Sequence, residues 1–484
     1  MTDPSVPGKT LPTQAAASQI TEPAAGTERI ASLDGLAAEL RGAVNRGRSR
    51  AYREQQLDGL VQMLLQHASR WEAALKADLG KSEIEAHLTE IGFVVAEARA
   101  ARRSLRRWMA PTRVAAPLAL QPATARTIAE PLGATLIIAP WNYPLHLALA
   151  PLVGAIAAGN AAVVKPSEVA PATSRLLAEL APRHLDQRSV RIVEGGVDET
   201  TALLEQRWDL IFYTGNGRIA RVVAAAAAKH LTPTVLELGG KSPVYVHRSA
   251  DIAAAARRIA WGKWINAGQT CVAPDHIRVD REVAVELVEQ LRLATAEQLG
   301  DARTSPDFAR IVTERHVERL RGLLDGGTVV TGGEVDADAR YVAPTILTDV
   351  DESAAVMQEE IFGPILPVLP VDGVDGFVEA MRGRDKPLAL YVFARDRDAV
   401  RRIERETSSG SLGINVAVAQ VGAAGLPFGG VGESGSGAYH RRHSFEAFSH
   451  RKAVLSKSTA IDTLRIIYPP FTELRGRIAK RILG

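Results

Sequence analysis

The sequence predicts an α/β protein made of two doubly wound lobes, and three observations indicate this class. Short apolar runs with strand character alternate with helix-like stretches after Pro131, a pattern typical of parallel sheets covered on both faces. The alternation falls into two series that meet near residues 238–240. With 484 residues, 46% hydrophobic and 23% charged, the chain has the size and composition of a globular protein of about three domains or lobes.

The individual elements follow from hydrophobic periodicity. Leucines at helical spacing predict amphipathic helices over 31–80 and 82–108. The first lobe is predicted to contain strands at 132–139, 161–165, 190–193, 210–213 and 234–238, and helices at 145–158, 171–181, 200–206 and 218–230. The second lobe is predicted to contain strands at 276–279, 329–331, 365–371, 388–393 and 411–416, and helices at 251–264, 282–299, 313–324 and 373–381.

Charge and cysteine content exclude several classes of protein. Lys plus Arg number 58 and Asp plus Glu 55, which gives a formal charge of +3. A charge this small over the whole chain does not indicate a nucleic-acid-binding protein. The single cysteine, Cys271, excludes an intrachain disulfide and a cysteine-based metal cluster, and we predict no metal site. A lone thiol stays free only in a reducing compartment, which predicts a cytoplasmic protein.

No segment is predicted to target or span a membrane. Residues 1–28 are rich in Pro, Ala, Thr and Ser and lack an apolar core, so we expect a disordered tail rather than a signal peptide. The nearly uncharged region 132–164 is interrupted at Pro140, Pro144 and Gly159, which leaves apolar runs shorter than the ~20 residues of a spanning helix. The basic stretch 464–484 fits contact with an anionic membrane surface, although a basic helix on the protein or a disordered tail explains it more simply.

A glycine-rich turn suggests a dinucleotide site. The predicted strand 210–213 leads into Gly215-Asn216-Gly217-Arg218-Ile219-Ala220 and then a helix, the context in which backbone amides approach a pyrophosphate. A tight strand-to-helix turn would look the same. The usual fingerprint places an acid about 20 residues further on to bind a ribose. Glu237 stands 20 residues beyond Gly217 and would be that ligand.

Five motifs in one order give Glu237 a different role. They are PWNYP at 140–144, KPSE at 165–168, VLELGGK at 235–241, NAGQTC at 266–271 and EEIFGP at 359–364. Over roughly residues 30–468 the chain resembles the NAD(P)-dependent aldehyde dehydrogenases. LPFGGVG at 426–432, GAYH at 437–440 and FSH at 448–450 are similar to the class 3 branch, which includes dimeric enzymes for aromatic and medium-to-long-chain aldehydes. Departures at Ser436, Arg441 and Arg442 bear on substrate preference rather than on the chemistry.

The resemblance implies three catalytic residues. Cys271 would be the nucleophile, since a thiol adds readily to a carbonyl carbon and departs from a thioester. The Asn142 side chain and the Cys271 backbone N–H would bind the oxyanion, although an Asn between two prolines is also a common turn residue. Glu237 would activate the hydrolytic water, because a carboxylate inside an apolar strand has a raised pKa.

The resemblance also implies a cofactor site. Lys165 and Glu168 would hold the adenosine ribose, unless they form only a surface ion pair, and Glu360 would bind the nicotinamide ribose beside Phe362. The other implied cofactor residues are Trp141, Ser167, Thr214, Gly215, Asn216, Gly217, Leu238 and Gly239. The Glu168 carboxylate disfavours a 2′-phosphate, which predicts NAD as the cofactor with NADP usable.

The same resemblance predicts the domain organisation. We expect a cofactor-binding domain at 29–109 and 133–237 and a catalytic domain at 238–426. Segments 110–132 and 427–468 would form a bridging β-arm for a homodimer, followed by a basic tail at 469–484. The fold class is therefore an aldehyde dehydrogenase-like pair of doubly wound lobes with a β-arm for oligomerisation.

The predicted function is oxidation of a small-molecule aldehyde to the acid, through a Cys thiohemiacetal, hydride transfer and thioester hydrolysis. An acylating enzyme that passes the acyl group to CoA is one alternative, and the presence of Glu237 favours water instead. A binding protein without turnover is another, against which stand Cys271, Glu237 and Asn142. A thiol esterase would leave the cofactor residues unexplained.

Overall fold

The structure is a computed structural model that describes residues 33–44, 48–117, 120–423 and 425–483. The predicted tail at 1–28 lies outside the described residues. Within these ranges no helix is both long enough and apolar enough to cross a membrane.

A six-stranded sheet organises the first lobe. Its strands, in spatial order, are Gly435–Ser436, Thr234–Glu237, Leu210–Thr214, Ala134–Ile138, Ala161–Lys165 and Val190–Ile192. All neighbours pair in parallel except Gly435–Ser436, which pairs antiparallel with Thr234–Glu237. The connecting helices are His146–Ala158, Pro171–His184, Val197–Leu204 and Gly217–Ala228, close to the predicted positions.

Both faces of this sheet are buried, as the alternating sequence predicts. Ile137 packs with Leu57 and Leu149 in one core, whereas its neighbour Leu136 packs with Leu40 and Val223 in a second core. Successive strand residues point to opposite faces, so helices have to cover both. The chain runs outward in both directions from the boundary between strands Ala134–Ile138 and Leu210–Thr214. In open α/β sheets such a switch point forms a ligand crevice beyond the carboxyl ends of the strands.

Helices from the N-terminal part of the chain cover both faces of the sheet, because Leu36–Val44 packs in the core of Leu136 and the later helices pack in the core of Ile137. They are Leu36–Val44, Arg50–Gln66, Ala68–Leu79, Glu83–Ala86 and Gly92–Met109, with a π-helical turn at His87–Ile91. The predicted helix over 31–80 is therefore several helices, and the last of these ends at Gly80 in a left-handed conformation (φ 69°). The π-turn interrupts the predicted helix over 82–108, a local irregularity frequent at functional sites.

A seven-stranded sheet organises the second lobe. Its spatial order is Thr328–Thr331, Thr345–Thr348, Ile365–Val371, His276–Asp280, Pro243–Val246, Ala389–Phe393 and Ser411–Ile414. Only Thr328–Thr331 pairs antiparallel with its neighbour. The helices are Ile252–Trp264, Ala284–Leu299, Glu314–Arg321, Ala355–Gln358, Gly373–Met381 and Arg397–Glu406.

Periodicity did not predict several elements of the second lobe, among them two strands and a helix. Strands Pro243–Val246 and Thr345–Thr348 have four residues each, and the first begins with a proline, a residue that central strands accept only at the first position or at a bulge. Helix Arg397–Glu406 is mostly charged and exposes one face. Short or polar elements acquire their structure from packing, which periodicity in the sequence does not report.

A third sheet joins distant parts of the chain. Thr112–Val114, Ala123–Pro131 and Ser449–Lys457 form an antiparallel three-stranded sheet in this order. It coincides with the β-arm implied for 110–132 and the C-terminal segment, whereas the predicted domain limits stay predictions. The remaining short elements are the strands Val335–Asp336 and Tyr341–Val342, the helix Arg442–Ala447 and the 3-10 turns Ile265–Gly268, Arg281–Val283, Leu324–Gly326, Ala419–Gly422 and Thr463–Ile467.

The basic C-terminal stretch contains a helix, Glu473–Leu483, within the described residues. Phe471 and Leu474, at its beginning, are 75% and 61% exposed. Membrane contact of this segment stays a prediction.

Candidate active site

Cys271 lies on a loop whose shape depends on backbone conformations that few residues adopt. Asn266 and Ala267 have φ angles of 51° and 50°, and Gly268 follows at 75°. A side chain at Gly268 would collide with the backbone of Gly363, so only glycine fits at this point. The turn brings the end of helix Ile252–Trp264 to Cys271 at the boundary between the lobes.

The Cys271 thiol is held in its neutral form. Burial raises the pKa of the thiol well above its usual range, and the carboxyl groups of Glu360 and Glu237 raise it further. The backbone N–H groups of Cys271 and Val272 act in the opposite direction, because they stabilise a negative charge on sulfur. The thiol therefore needs a base before it can attack, and donors for negative charge already surround it.

Glu237 is a buried carboxyl group without a partner. It ends strand Thr234–Glu237 with 2% of its surface exposed, and neither carboxyl oxygen has a hydrogen-bond partner among the described residues. Burial raises the pKa of Glu237 well above 4.5. Its charge in turn raises the pKa of Cys271, which places it within electrostatic reach of the thiol.

The Asn142 amide is fixed to the nucleophile loop. It follows strand Ala134–Ile138 and is 3% exposed, and its Nδ2 donates to the Gln269 carbonyl at 3.0 Å. The next residue, Tyr143, places its hydroxyl 2.6 Å from Thr270 Oγ1. An Asn amide carries two N–H groups, so a second one is left for an oxyanion formed next to Cys271.

Three charged residues under this loop, two buried and one partly buried, were missed in the sequence analysis. Lys81 and Glu90 form an ion pair at 2.5 Å with both side chains fully buried, and Glu85 accepts a hydrogen bond from the Asn266 backbone N–H at 2.8 Å. One available signal was the helical spacing that places Glu90 on the same face as Val94 and Ala98, which are buried. A carboxylate on an apolar face indicates a buried partner.

The implied cofactor residues of the first lobe gather at the carboxyl edge of its sheet. Asn216 caps helix Gly217–Ala228 by accepting a hydrogen bond from the Ile219 N–H at 3.0 Å. Just before it, the buried Thr214 Oγ1 has no hydrogen-bond partner in the described parts of the chain. Side chains at Gly215 or Gly239 would collide with Tyr213 or Glu360. The backbone is therefore bare where a pyrophosphate would approach it.

Lys165 and Glu168 occupy the end of the neighbouring strand. Lys165 is buried and its Nζ lies 2.7 Å from Glu168, whose side chain is 52% exposed. The pair thus borders the crevice, which fits both the ribose role and the simple ion pair. Ser167 turns inward, because its Oγ accepts a hydrogen bond from the Val169 N–H at 3.2 Å. The Leu238 N–H is likewise used, by the Ser434 carbonyl at 3.1 Å.

The second lobe contributes Glu360 and Phe362 to the same crevice. Burial and the nearby Asp275 raise the pKa of Glu360 to about 8. The Phe362 ring lies 5.3 Å from that of Trp141, at 85°, so the aromatic residues of the two lobes meet. Together with the unpartnered Thr214 hydroxyl and the glycine edge, these residues fit a nicotinamide dinucleotide. No cluster of metal-ligating side chains occurs in the described ranges.

An aromatic wall extends from the catalytic loop. His440 stacks on Phe428 at 5.1 Å and lies 5.3 Å from Phe93, which in turn lies 4.0 Å from His146. Burial lowers the pKa of both histidines to about 3, so both imidazoles are neutral. A small cavity of about 90 Å³ opens beside Phe93 and His440. The wall is therefore apolar in character and suits an uncharged ligand.

Comparisons with known proteins identify the family of this chain. The chain matches the aldehyde dehydrogenase family over residues 21–454. It is 47% identical over 444 residues to aldehyde dehydrogenase family 3 member B1 of Rattus norvegicus (91% of this chain, 95% of that protein). It is 44% identical over 445 residues to the dimeric NADP-preferring aldehyde dehydrogenase of that species (91% and 98%).

A solved structure, the substrate-bound state of AldH from Staphylococcus aureus, is 39% identical with a TM-score of 0.90, over 92% of this chain and 98% of that one. The predicted fold class and the class 3 resemblance are confirmed. The chain therefore belongs to the aldehyde dehydrogenase family, and its activity is the NAD(P)-dependent oxidation of an aldehyde to a carboxylic acid.

Proposed function

We propose that this enzyme is non-acylating: water, activated by Glu237, releases the acid from a thioester on Cys271. The single observation that carries the proposal is the buried Glu237 carboxyl, which has no hydrogen-bond partner among the described residues and lies within electrostatic reach of the thiol. A buried carboxyl without a partner is costly. Beside the thioester, the Glu237 carboxyl can accept a proton from the hydrolytic water, which accounts for a buried carboxyl at this position.

Addition to the aldehyde begins the reaction. The Cys271 sulfur forms a bond to the carbonyl carbon, and the thiol proton passes through water to the solvent, which leaves the Glu237 carboxylate free for the later hydrolysis. The negative charge that develops on the substrate oxygen is received by Asn142 Nδ2 and the Cys271 backbone N–H. Donors fixed before the reaction avoid reorganisation, and one such donor contributes roughly 3–4 kcal/mol to lowering the barrier.

The cofactor is held by the crevice described above. Lys165 and Glu168 would bind the adenosine ribose, the amides at 215–217 the pyrophosphate, and Glu360 the nicotinamide ribose. When bound, the nicotinamide ring supplies the hydride acceptor that converts the thiohemiacetal into a thioester. Trp141 and Phe362 exclude water from this part of the crevice.

Hydrolysis completes the reaction. Glu237 takes a proton from a water molecule, the water oxygen bonds to the thioester carbon, and Asn142 again receives the oxyanion. Collapse of this intermediate breaks the carbon–sulfur bond and releases the acid, and the proton held by Glu237 returns to the Cys271 sulfur. The raised pKa of Glu237 makes it an effective base near neutral pH.

The substrate is proposed to be an aromatic or medium-to-long-chain aliphatic aldehyde. The neutral His146 and His440, with Phe93 and Phe428, form the apolar wall described above. Arg441, which lines the cavity beside this wall, is paired with Glu97 at 2.8 Å. An aldehyde with an apolar body gains most from burial against such a wall. A cytoplasmic location is part of the same proposal, because the nucleophile is a free thiol.

A homodimer is also proposed. Strand Ser449–Lys457 forms one edge of the three-stranded sheet, and Leu455 is 52% exposed on it. A nine-residue edge strand offers unpaired backbone groups to a second chain. The relative named as dimeric supports this assembly. Light scattering after gel filtration distinguishes a dimer from a monomer.

Rapid-quench mass spectrometry of Glu237→Gln tests the proposed hydrolysis. We expect the variant to form a burst of reduced cofactor, slow steady-state turnover and an acyl mass on Cys271. Glu433→Gln, at an exposed glutamate, is the matched control and should turn over normally. Normal turnover in Glu237→Gln would overturn the role of Glu237. Formation of acyl-CoA by the wild type when CoA is added would favour the acylating alternative.

A further inference from the structure

We propose that the buried Lys81–Glu90 pair is a positioning device that holds the Asn142 amide against the Cys271 loop. The inference rests on the proposed role of Asn142 as an oxyanion donor. Neither Lys81 nor Glu90 belongs to a motif in the sequence, and neither reacts with the substrate. Their contacts converge on the segment 142–146 and, through it, on the nucleophile loop.

The contacts of Lys81 identify its target. Besides Glu90, its Nζ donates to the backbone carbonyl of Asn142 at 3.2 Å and lies 3.9 Å from the centre of the Tyr143 ring. A charged donor binds a carbonyl about twice as strongly as a neutral donor does. The ammonium therefore fixes the backbone of the residue whose side chain is proposed to receive the oxyanion.

Glu90 fixes the other end of the same segment. Its Oε1 pairs with Lys81, and its Oε2 accepts hydrogen bonds from the Leu145 N–H at 2.9 Å and the His146 N–H at 3.1 Å. These N–H groups open helix His146–Ala158, where a carboxylate is favoured by the helix dipole. The pair thus binds the segment 142–146 at both ends, at Asn142 and at the start of helix His146–Ala158.

A chain of hydrogen bonds connects this loop to the nucleophile loop. Asn266 Nδ2 donates to the Asn142 carbonyl at 2.8 Å and to the Gln269 carbonyl at 3.0 Å. Asn142 Nδ2 donates to that same Gln269 carbonyl. Two carbonyl groups, each with two donors, therefore hold the loops in register, and Lys81 supplies the charged donor of the set.

Stability alone explains this arrangement poorly. Both charged side chains are 0% exposed, and a buried ion pair is often no more stable than apolar residues of the same volume. The pair instead fixes the geometry of the segment 142–146. Lys81 donates to a backbone carbonyl of this segment, and Glu90 accepts hydrogen bonds from two of its backbone N–H groups. Misplacement of a catalytic donor by about 1 Å can lower the rate by about a hundredfold.

Five variants test the coupling: Lys81→Met, Lys81→Arg, Asn142→Ala, Lys81→Met with Asn142→Ala, and Lys81→Met with Glu90→Gln. We expect Lys81→Met to lower kcat by about tenfold to a hundredfold, with the Kd for NAD unchanged. In the Asn142→Ala background the same substitution should lower kcat by less than about twofold. The variant lacking both charges avoids an unpaired buried carboxylate and should fold while keeping the kcat defect. Lys81→Arg, which keeps the charged donor, should recover part of the rate.

Arg53→Met is the matched control. Arg53 is also a buried cation, and it donates to the Ala157 carbonyl at 3.0 Å, at the opposite end of helix His146–Ala158. We expect it to lower Tm without changing kcat. Equal, multiplicative losses from Lys81→Met in the wild type and in Asn142→Ala would overturn the positioning role. If Asn142→Ala itself keeps full kcat, the proposed oxyanion role fails instead, and the two failures are distinguishable.

Discussion

The carboxyl group proposed to react, Glu237, and the one that anchors the loop, Glu90, are both buried but differ in their partners. Glu237 is 2% exposed and has no hydrogen-bond partner for either oxygen within the described part of the chain. Glu90 is fully buried and uses its two oxygens for Lys81 and two backbone N–H groups. A glutamate side chain therefore serves as a proton acceptor at position 237 and as a structural anchor at position 90.

The difference shows how burial acts on a carboxyl group. Without partners, burial raises its pKa and leaves its oxygens available to a proton. With a cation and N–H donors, the charge is compensated and the geometry is fixed. Substitutions should accordingly separate the two regions, because losing a reacting group costs rate whereas losing an anchor costs both rate and stability.

The largest effect is expected at Cys271. Cys271→Ala should abolish aldehyde oxidation while cofactor binding and Tm stay close to the wild type, because the residue reacts but anchors nothing. It is the only thiol in the sequence, so a thiol alkylator should add one mass to the wild type and remove its activity. Full activity in the alkylated protein would contradict the assignment.

Glu237→Gln should be more stable than the wild type near neutral pH. The folded pKa is raised, so the wild type is penalised once pH exceeds the unfolded value of 4.5, and the penalty grows until pH passes the folded pKa. The slope is at most about 1.4 kcal/mol per pH unit. Chemical denaturation of both proteins between pH 4.5 and 8 measures it. A difference that does not change with pH would mean that Glu237 is already compensated.

Glu360 lies between Glu237 and Glu90 in its number of partners. Its carboxyl accepts one hydrogen bond, from the Gly240 N–H, and its pKa is about 8. Ribose hydroxyls donate preferentially to an ionised carboxylate, so the affinity for NAD should rise as pH increases through 8, by up to about tenfold per pH unit below it. Calorimetric titrations between pH 6.5 and 9, in the Cys271→Ala background, measure this dependence. Glu360→Gln should bind weakly with a flat profile, and a flat profile in the parent would place the ribose elsewhere.

The smallest effect is expected at Glu168, the exposed partner of the buried Lys165. A 2′-phosphate would bring negative charge against the Glu168 carboxylate, so NAD should be preferred and Glu168→Gln should raise the relative efficiency with NADP several-fold, by about 1 kcal/mol or less. The measurement is kcat/KM for both cofactors in both proteins. An unchanged ratio would mean that Glu168 does not face the 2′ position and belongs to a surface ion pair.

Much of the fold could be predicted because its signal is local. Strand Ala161–Lys165 and helix Gly373–Met381 occupy the predicted residues, since continuous apolar runs and glycine boundaries specify them. Strand Pro243–Val246 could not be found in this way. Its four residues become a strand only by pairing with His276–Asp280 and Ala389–Phe393 on either side.

The site divides along the same line. The sequence by itself determined the chemistry of this protein, because a lone cysteine in NAGQTC, a glutamate in VLELGG and the asparagine of PWNYP name a thiol, a base and an amide donor. Only the tertiary structure decided the burial and the contacts of these residues. It leaves the buried Glu237 without a hydrogen-bond partner among the described residues, and it places Lys81 and Glu90 beneath Asn142. Hydrogen-bond partners and burial depend on residues that are distant in the chain and meet only after folding. They therefore cannot be predicted from residue type alone.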